Sequence, residues 1–478
     1  MKKLIISRLF LYRYRFIIGY SILGLVFAGL IFLMPLVSPG GVSRAEMESA
    51  VAADALGVQS LLDGDVINLP FRALQKLSFT IFGLSMYSIK LPAIVIGLVT
   101  GVFLILLLNR WFKTNVAMIT SGFVVMSSFF LANAGMGTPD IMAVFWLVMM
   151  IWAGAKLVGA EKNNFWLLLV FFASLALSCY CPLFIYLVLL VGLVSLFLPH
   201  LRFFLKTYSR GQTVIALTVF AVLVTPLVYG VIVNNETLRG VLLGGVSGNF
   251  WDNMEIAFAP FFSFTVANVW GVLAPMFGMA TVVLTIIGIV ASSGKLHTSK
   301  NVVTGALIVF SIVSAGLYPA MSMIVFLPIL MLVANGIELV IYKWYALFPE
   351  NPYARLFGIF PIALFSVIAL VSGLTHFFYG YLYVPAVTDG FDADIVLVRE
   401  HVPSGGILVV QGDELRLRFY KILEKREMVV VTDSVPDWTG TTIVTLGRLD
   451  GEPQMALTEI ITSSKAMRSD RLYVYNQE

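Results

Sequence analysis

The sequence predicts a polytopic α-helical membrane protein with a small α/β domain at its C-terminal end, on the outer side. Three observations lead there. Of the 478 residues, 59% are hydrophobic and 12% charged, with a mean hydropathy of +0.92, more apolar surface than a water-soluble core can hide. The apolar residues fall into about eleven runs of spanning or near-spanning length. Beyond Tyr383 the composition becomes that of a soluble domain.

The runs are 16–37, 86–108, 115–133, 139–158, 164–180, 182–199, 213–233, 272–292, 302–318, 320–342 and 356–379. The first follows a basic start (Lys2, Lys3, Arg8, Arg13, Arg15) and is long enough to span. No small-residue cleavage site follows it, so it reads as an anchor and not as a removable signal. Pro182 and Pro319 fall between paired runs, where helices stop before the proline. Cys179 and Cys181 flank Tyr180 in apolar sequence; a disulfide at that spacing is strained, and two thiols fall short of a zinc site, so they read as buried thiols.

Lysine and arginine counts in the short loops orient the chain. With the N-terminus cytoplasmic, the inner segments carry about sixteen cations, among them Arg110, Lys113, Lys156, Arg202, Lys295 and Lys343. The outer segments carry Arg44, Arg72, Lys76 and Arg239, with Lys90 at the boundary. The first loop (38–83), the loop 234–270, the start of the fourth run and the tail (384–478) are therefore expected outside, beyond a transmembrane module of residues 1–383. The net charge of +4 is small and its bias lies in the inner loops, which argues against nucleic acid as a partner. Membrane lipids are the expected surroundings.

The first loop reads as two short amphipathic helices, one from Arg44 and one from Pro70. The loop 234–270, with Trp251, Asp252, Glu255 and an aromatic run at Phe258 to Phe264, suits the headgroup region. The tail alternates strand and helix patterns: helix from Asp392 to His401, strand over 406–411, helix from a capping Asp413 to Lys425, then strands at 428–432, 442–446 and 471–475.

Ionisable groups at membrane depth are costly and concentrate where function is. Asp140 follows Gly137-Thr138-Pro139 and opens the fourth run; the plain alternative is an acid favoured in any first helical turn. Glu46 and Glu48 open the first-loop helix, and the same plain reading applies to them. Arg72 and Lys76, four apart, share a helical face and either bind phosphate or snorkel to headgroups. An acid facing cations just outside a bilayer suits transfer from a lipid phosphate. The acid takes a proton from an acceptor hydroxyl, and the cations offset charge on the departing phosphate.

Three stretches resemble the GT-C membrane glycosyltransferases, in the polyprenyl-phosphate-sugar branch with protein O-mannosyltransferases and aminoarabinose transferases. They are Ala45-Glu46 with Met47 to Ala50; Pro70 to Lys76 with Phe82-Gly83-Leu84-Ser85 and Lys90-Leu91-Pro92; and Gly137-Thr138-Pro139-Asp140. The resemblance covers about residues 15–160. It implies a GT-C-like fold and inverting transfer of a sugar from a polyprenyl-phosphate donor to a protein, lipid or glycan acceptor. Glu46 or Glu48 would be the base and Asp140 the orienting acid. Arg72, Lys76, Lys90 and the aromatic wall at Trp251 would bind substrate. No cofactor beyond the lipid-linked sugar is implied, and a divalent metal is left open. The chain departs from the family at Ala45, where the first-loop aspartate is expected, and at Asn68-Leu69, where a lysine is expected. Two other classes stay in view: a lipid or sugar transporter or flippase, and a degenerate, non-catalytic scaffold.

Overall fold

A computed structural model describes residues 10–37, 41–158, 164–197, 208–244, 248–262, 279–295 and 298–348, scattered positions from 350 to 379, and most of 390–477. The protein is an integral membrane protein built mostly of helices. The labels below number the described elements.

The first apolar run forms α1 (Phe10–Val37). The loop that follows holds β1 (Val42–Ser43), α2 (Arg44–Asp54), α3 (Val58–Leu62) and α4 (Leu69–Phe82). Three helices stand there in place of the two expected, because Gly57 and Ser60 cap an extra turn. Next come α5 (Met86–Trp111), α6 (Thr114–Val125), α7 (Ser128–Gly135), α8 (Asp140–Val158), α9 (Phe165–Ser178) and α10 (Phe184–Phe197). The run over 115–133 is not straight. Ser127 accepts from Phe130 N and starts a new helix, so α6 and α7 meet at a 54° bend.

The chain continues through α11 (Arg210–Val233), α12 (Asn235–Leu243), α13 (Phe250–Phe262), α14 (Met279–Ser293) and α15 (Ser299–Leu317). A 3-10 turn (Pro319–Val325) leads into α16 (Phe326–Leu347). Among the described residues six helical segments are long and apolar enough to cross a membrane, and seven if the bent pair counts as one span. The helix α9 and the residues Thr281–Ser293 are apolar but shorter. Of the expected runs, 356–379 lies largely outside the described residues, as do parts of 182–199 and 272–292.

Several loops meet at one end of the bundle. Asn68 N donates to Tyr180 O (2.9 Å), Leu183 N to Val241 O (2.9 Å), and Thr237 Oγ1 to Gly64 O (2.7 Å). Gly64 is held at φ +78 with the backbone of Gly230 against it, so a side chain there would be strained and would meet a carbonyl at 3.0 Å. Cys179 and Cys181 are buried thiols, as their apolar surroundings implied.

The tail supplies β2 (Phe391–Asp392), α17 (Asp394–His401), β3 (Ile407–Val409), α18 (Glu414–Glu427), β4 (Val430–Thr432), β5 (Thr442–Thr445), β6 (Met455–Thr462) and β7 (Arg471–Gln477). Five strands form one sheet in the order β4-β3-β5-β7-β6, parallel across β4, β3 and β5 and antiparallel beyond. Asp413 caps α18, accepting from Leu415 N (3.0 Å) and Arg416 N (3.3 Å). The strand β6 was not anticipated, and Asp392 ends a strand, the helix starting at Asp394. That strand pairs antiparallel with β1, Val42 opposite Asp392 and Ser43 opposite Phe391. Met47, Ala50 and Ala53 of α2 share one apolar core with Phe419, Tyr420 and Leu423 of α18. The first loop and the tail thus bury one another.

Candidate active site at the first loop

Ser43-Arg44-Ala45-Glu46 forms a capping box. Ser43 Oγ accepts from Glu46 N (3.3 Å), and Glu46 Oε2 accepts from Ser43 N (2.8 Å). The other carboxylate oxygen, Oε1, accepts from Gly137 N (2.7 Å) and lies 3.8 Å from Lys90 Nζ. Glu46 and Lys90 are both fully buried, and the Lys90 ammonium also stands 5.5 Å over the Phe391 ring. The sequence offered Glu46 as a proton acceptor. Both its oxygens are occupied, away from solvent, and they tie α2 to the turn before α8.

Gln75 works beside it. Its Nε2 donates to Ile89 O and Gly137 O (3.2 Å each), and its Oε1 accepts from Ser49 Oγ (2.9 Å). One buried side chain thereby joins α2, α4, α5 and the Gly137 turn. Gly137 packs so closely on Ile89 that an added Cβ would stand 2.7 Å from its carbonyl oxygen. Lys76 is likewise committed, donating to Asp54 O (3.3 Å) and to Leu56 O at the C-terminal end of α2. Arg72 pairs with Asp65 at 2.8 Å.

Asp140 opens α8, half-buried, and accepts from Thr138 Oγ1 (2.9 Å). Glu48 is different from Glu46. Its side chain is 58% exposed, and its contact with Arg44 Nε is long, at 3.9 Å. The charges of Asp140 and of Glu48 both bear on the Tyr318 hydroxyl, and that of Asp140 also on Cys181. Tyr318, between α15 and the 3-10 turn, packs under Gly244. The space around the Tyr318 hydroxyl, within electrostatic reach of Glu48 and Asp140 from distant parts of the chain, is the candidate site.

Trp251 does not join that space: it is 76% exposed, while its neighbours Phe250 and Asn253 turn to α15, Asn253 Nδ2 donating to Gly316 O (3.0 Å). Sequence reasoning missed Gln75 and Tyr318. A signal existed for Gln75, an amide on the face that α4 buries. Tyr318 offered only its place before Pro319. Among the described residues no three His, Cys, Asp or Glu side chains gather as a metal site would need.

Residues 70–229 match the family model described as dolichyl-phosphate-mannose-protein mannosyltransferase. The match takes in Arg72, Lys76, Lys90 and Asp140, and begins after Glu46 and Glu48. No curated protein matches the chain. Among solved structures, ArnT from Cupriavidus metallidurans bound to undecaprenyl phosphate is similar at a TM-score of 0.51 and 13% identity, over 96% of this chain and 98% of that one. The same protein in its apo state gives a TM-score of 0.49 at 12% identity, over the same shares. This membrane protein thus has the fold of ArnT, and across residues 70–229 it carries the sequence pattern of the mannosyltransferase family that its motifs resemble.

Proposed function

We propose that the chain is a glycosyltransferase that moves a sugar from a polyprenyl-phosphate donor to a hydroxyl acceptor on the outer face of the membrane, with its N-terminus in the cytoplasm. The observation that carries this reading is Asp140 at the N-terminus of α8, held beside the first loop by the buried junction of Glu46, Lys90, Gln75 and Gly137, with the charges of Glu48 and Asp140 both reaching Tyr318. The undecaprenyl phosphate in the ArnT structure supports a donor of that class.

In the proposed step Glu48 accepts the proton of the acceptor hydroxyl as its oxygen attacks the anomeric carbon. The bond from that carbon to the phosphate oxygen breaks, its electron pair leaves with the lipid phosphate, and the configuration inverts. Asp140 orients the acceptor or the sugar, and Tyr318 donates a hydrogen bond into the same space. Glu46 and Lys90 position the loop and do not touch substrate. Arg72 is the cation offered to the phosphate. Arg72 is 17% exposed and its partner Asp65 48%, so the pair is open on the carboxylate side, where a phosphate can take the place of that carboxylate. The helix α4 also starts at Asn68, bonded to Tyr180 next to Cys181, within the field of Asp140.

Ala45, in place of the aspartate of the resembled family, favours one other reading, a scaffold that holds lipid without turnover. Reconstituted protein given a radiolabelled polyprenyl-phosphate sugar together with pooled oligosaccharide, peptide and lipid hydroxyl acceptors separates the two. The transferase reading requires donor binding together with release of the lipid phosphate. Binding without release supports the scaffold, and absence of both ends the lipid-donor assignment.

A further inference from the structure

Apart from the surroundings of Asp140 and Tyr318, a cavity of about 510 Å³ opens along the seam of α2 and α18. Its volume falls within the ~300–1,000 Å³ that small-molecule sites occupy. From α2 it takes Arg44, Glu48, Val51, Ala52 and Ala55, and Asp413, Glu414, Leu415 and Arg418 from the start of α18. Glu48 belongs to both spaces: it borders this cavity and its charge reaches Tyr318. A molecule seated in the seam would therefore present a group to the proposed base from the aqueous side, with the donor on the membrane side.

The lining indicates the chemical class. Two guanidiniums stand against three carboxylates, Glu48, Asp413 and Glu414, so an anion meets no net positive field. Each cation already has an acid near it: Arg44 lies 3.9 Å from Glu48 and 3.7 Å from Asp413, and Arg418 is bonded to Glu414. The Arg44 pairs are longer than hydrogen bonds, so its N–H groups retain directions for other acceptors. A neutral molecule with many hydroxyls, each a donor and an acceptor, meets both halves of such a lining. Val51, Ala52, Ala55 and Leu415 offer short apolar side chains for the C–H face of a sugar ring. A prenyl tail would find far too much charge here.

We propose that the seam of α2 and α18 is the acceptor site and takes a neutral, polyhydroxylated glycan, delivering one of its hydroxyls to Glu48. This rests on the transferase reading, and the tail domain then forms one wall of the acceptor site.

The test uses the full chain in lipid nanodiscs, immobilised and offered three probe sets: neutral oligosaccharides, uronic-acid or phosphorylated oligosaccharides, and Ser/Thr-rich peptides. The proposal requires that members of the neutral set be retained above the other two. Ala52→Trp, which fills the cavity, and Arg418→Ala, at an exposed position, should each weaken that retention at least ten-fold while the thermal midpoint holds. Preference for the anionic or peptide set, no glycan retained, or retention unchanged in both variants overturns it. Binding of a polyprenyl-phosphate sugar is read on the same nanodiscs. Donor bound without glycan removes the acceptor site and leaves the transferase, whereas glycan bound without donor removes the transferase and leaves the seam as a glycan site.

Discussion

At Glu46 a buried carboxylate meets two backbone N–H groups and a buried ammonium. Breaking a buried pair by removing one charge costs about 3–5 kcal/mol, because the other is left in low dielectric, while replacing both is often near neutral. Glu46→Gln is therefore expected to lower the thermal midpoint strongly, and Glu46→Gln combined with Lys90→Met to regain much of the loss. Equal loss in the double variant would contradict the positioning role. The capping-box spacing from Ser43 to Glu46 was legible in the sequence and already implied that one oxygen is occupied. The second contact, to Gly137 ninety-one positions away, was not, because no local pattern encodes a tertiary backbone bond. Lys90 and Asp140 were legible as ionisable groups at span ends. That Lys76 would be held by the Leu56 carbonyl and Arg72 paired with Asp65 was not, since a basic residue four from another reads alike whether it faces a ligand or a carbonyl.

Among the elements, α2 and the start of α8 owe their mutual placement to Gln75 and to the bare backbone at Gly137. Gln75→Leu leaves the carbonyls of Ile89 and Gly137 without that donor, at about 1–3 kcal/mol for a buried group left unsatisfied. Turnover should fall with it, whereas Gln75→Glu, which keeps the length and the bond from Ser49, should not restore it. Gly137→Ala would press a methyl onto the Ile89 carbonyl and displace the turn that carries Asp140. The expected result is loss of transfer with the membrane helices intact by circular dichroism; full activity would contradict the tight junction. Spans were readable from apolar length, and so were the strand and helix alternation of the tail and the Asp413 cap. The strand β6 was not, because Met455–Thr462 is largely exposed where described and lacks an inward–outward alternation.

At the scale of the whole molecule, the tail is fastened to the first loop by β1 against β2, by the shared core of α2 and α18, and by Phe391 over Lys90. Phe391→Ala should accelerate amide hydrogen exchange across residues 42–56 in the intact protein, and unchanged exchange there would contradict the coupling. Asp392, in the same strand pair, adds a dependence on pH. Burial raises its carboxyl above the ordinary range, against the pull of Arg416. The folded state then holds that proton where the unfolded chain has lost it. The contribution to stability is present below the ordinary carboxylate value of ~3.9 and fades as pH rises through the folded value. Protection of the strand pair should thus increase as pH falls from neutrality toward the ordinary carboxylate range, and Asp392→Asn should reduce that difference.

The proposed transfer requires Glu48 and Asp140 to act on one bound donor. The direct measurement is single-turnover release of lipid phosphate from a labelled polyprenyl-phosphate sugar in the presence of pooled hydroxyl acceptors, with donor affinity read in parallel without them, for wild type, Glu48→Gln and Asp140→Asn. Removing the base should slow release ~10²–10⁴-fold, the usual worth of general base catalysis, with donor affinity kept in Glu48→Gln. Release at the wild-type rate in both variants would contradict it.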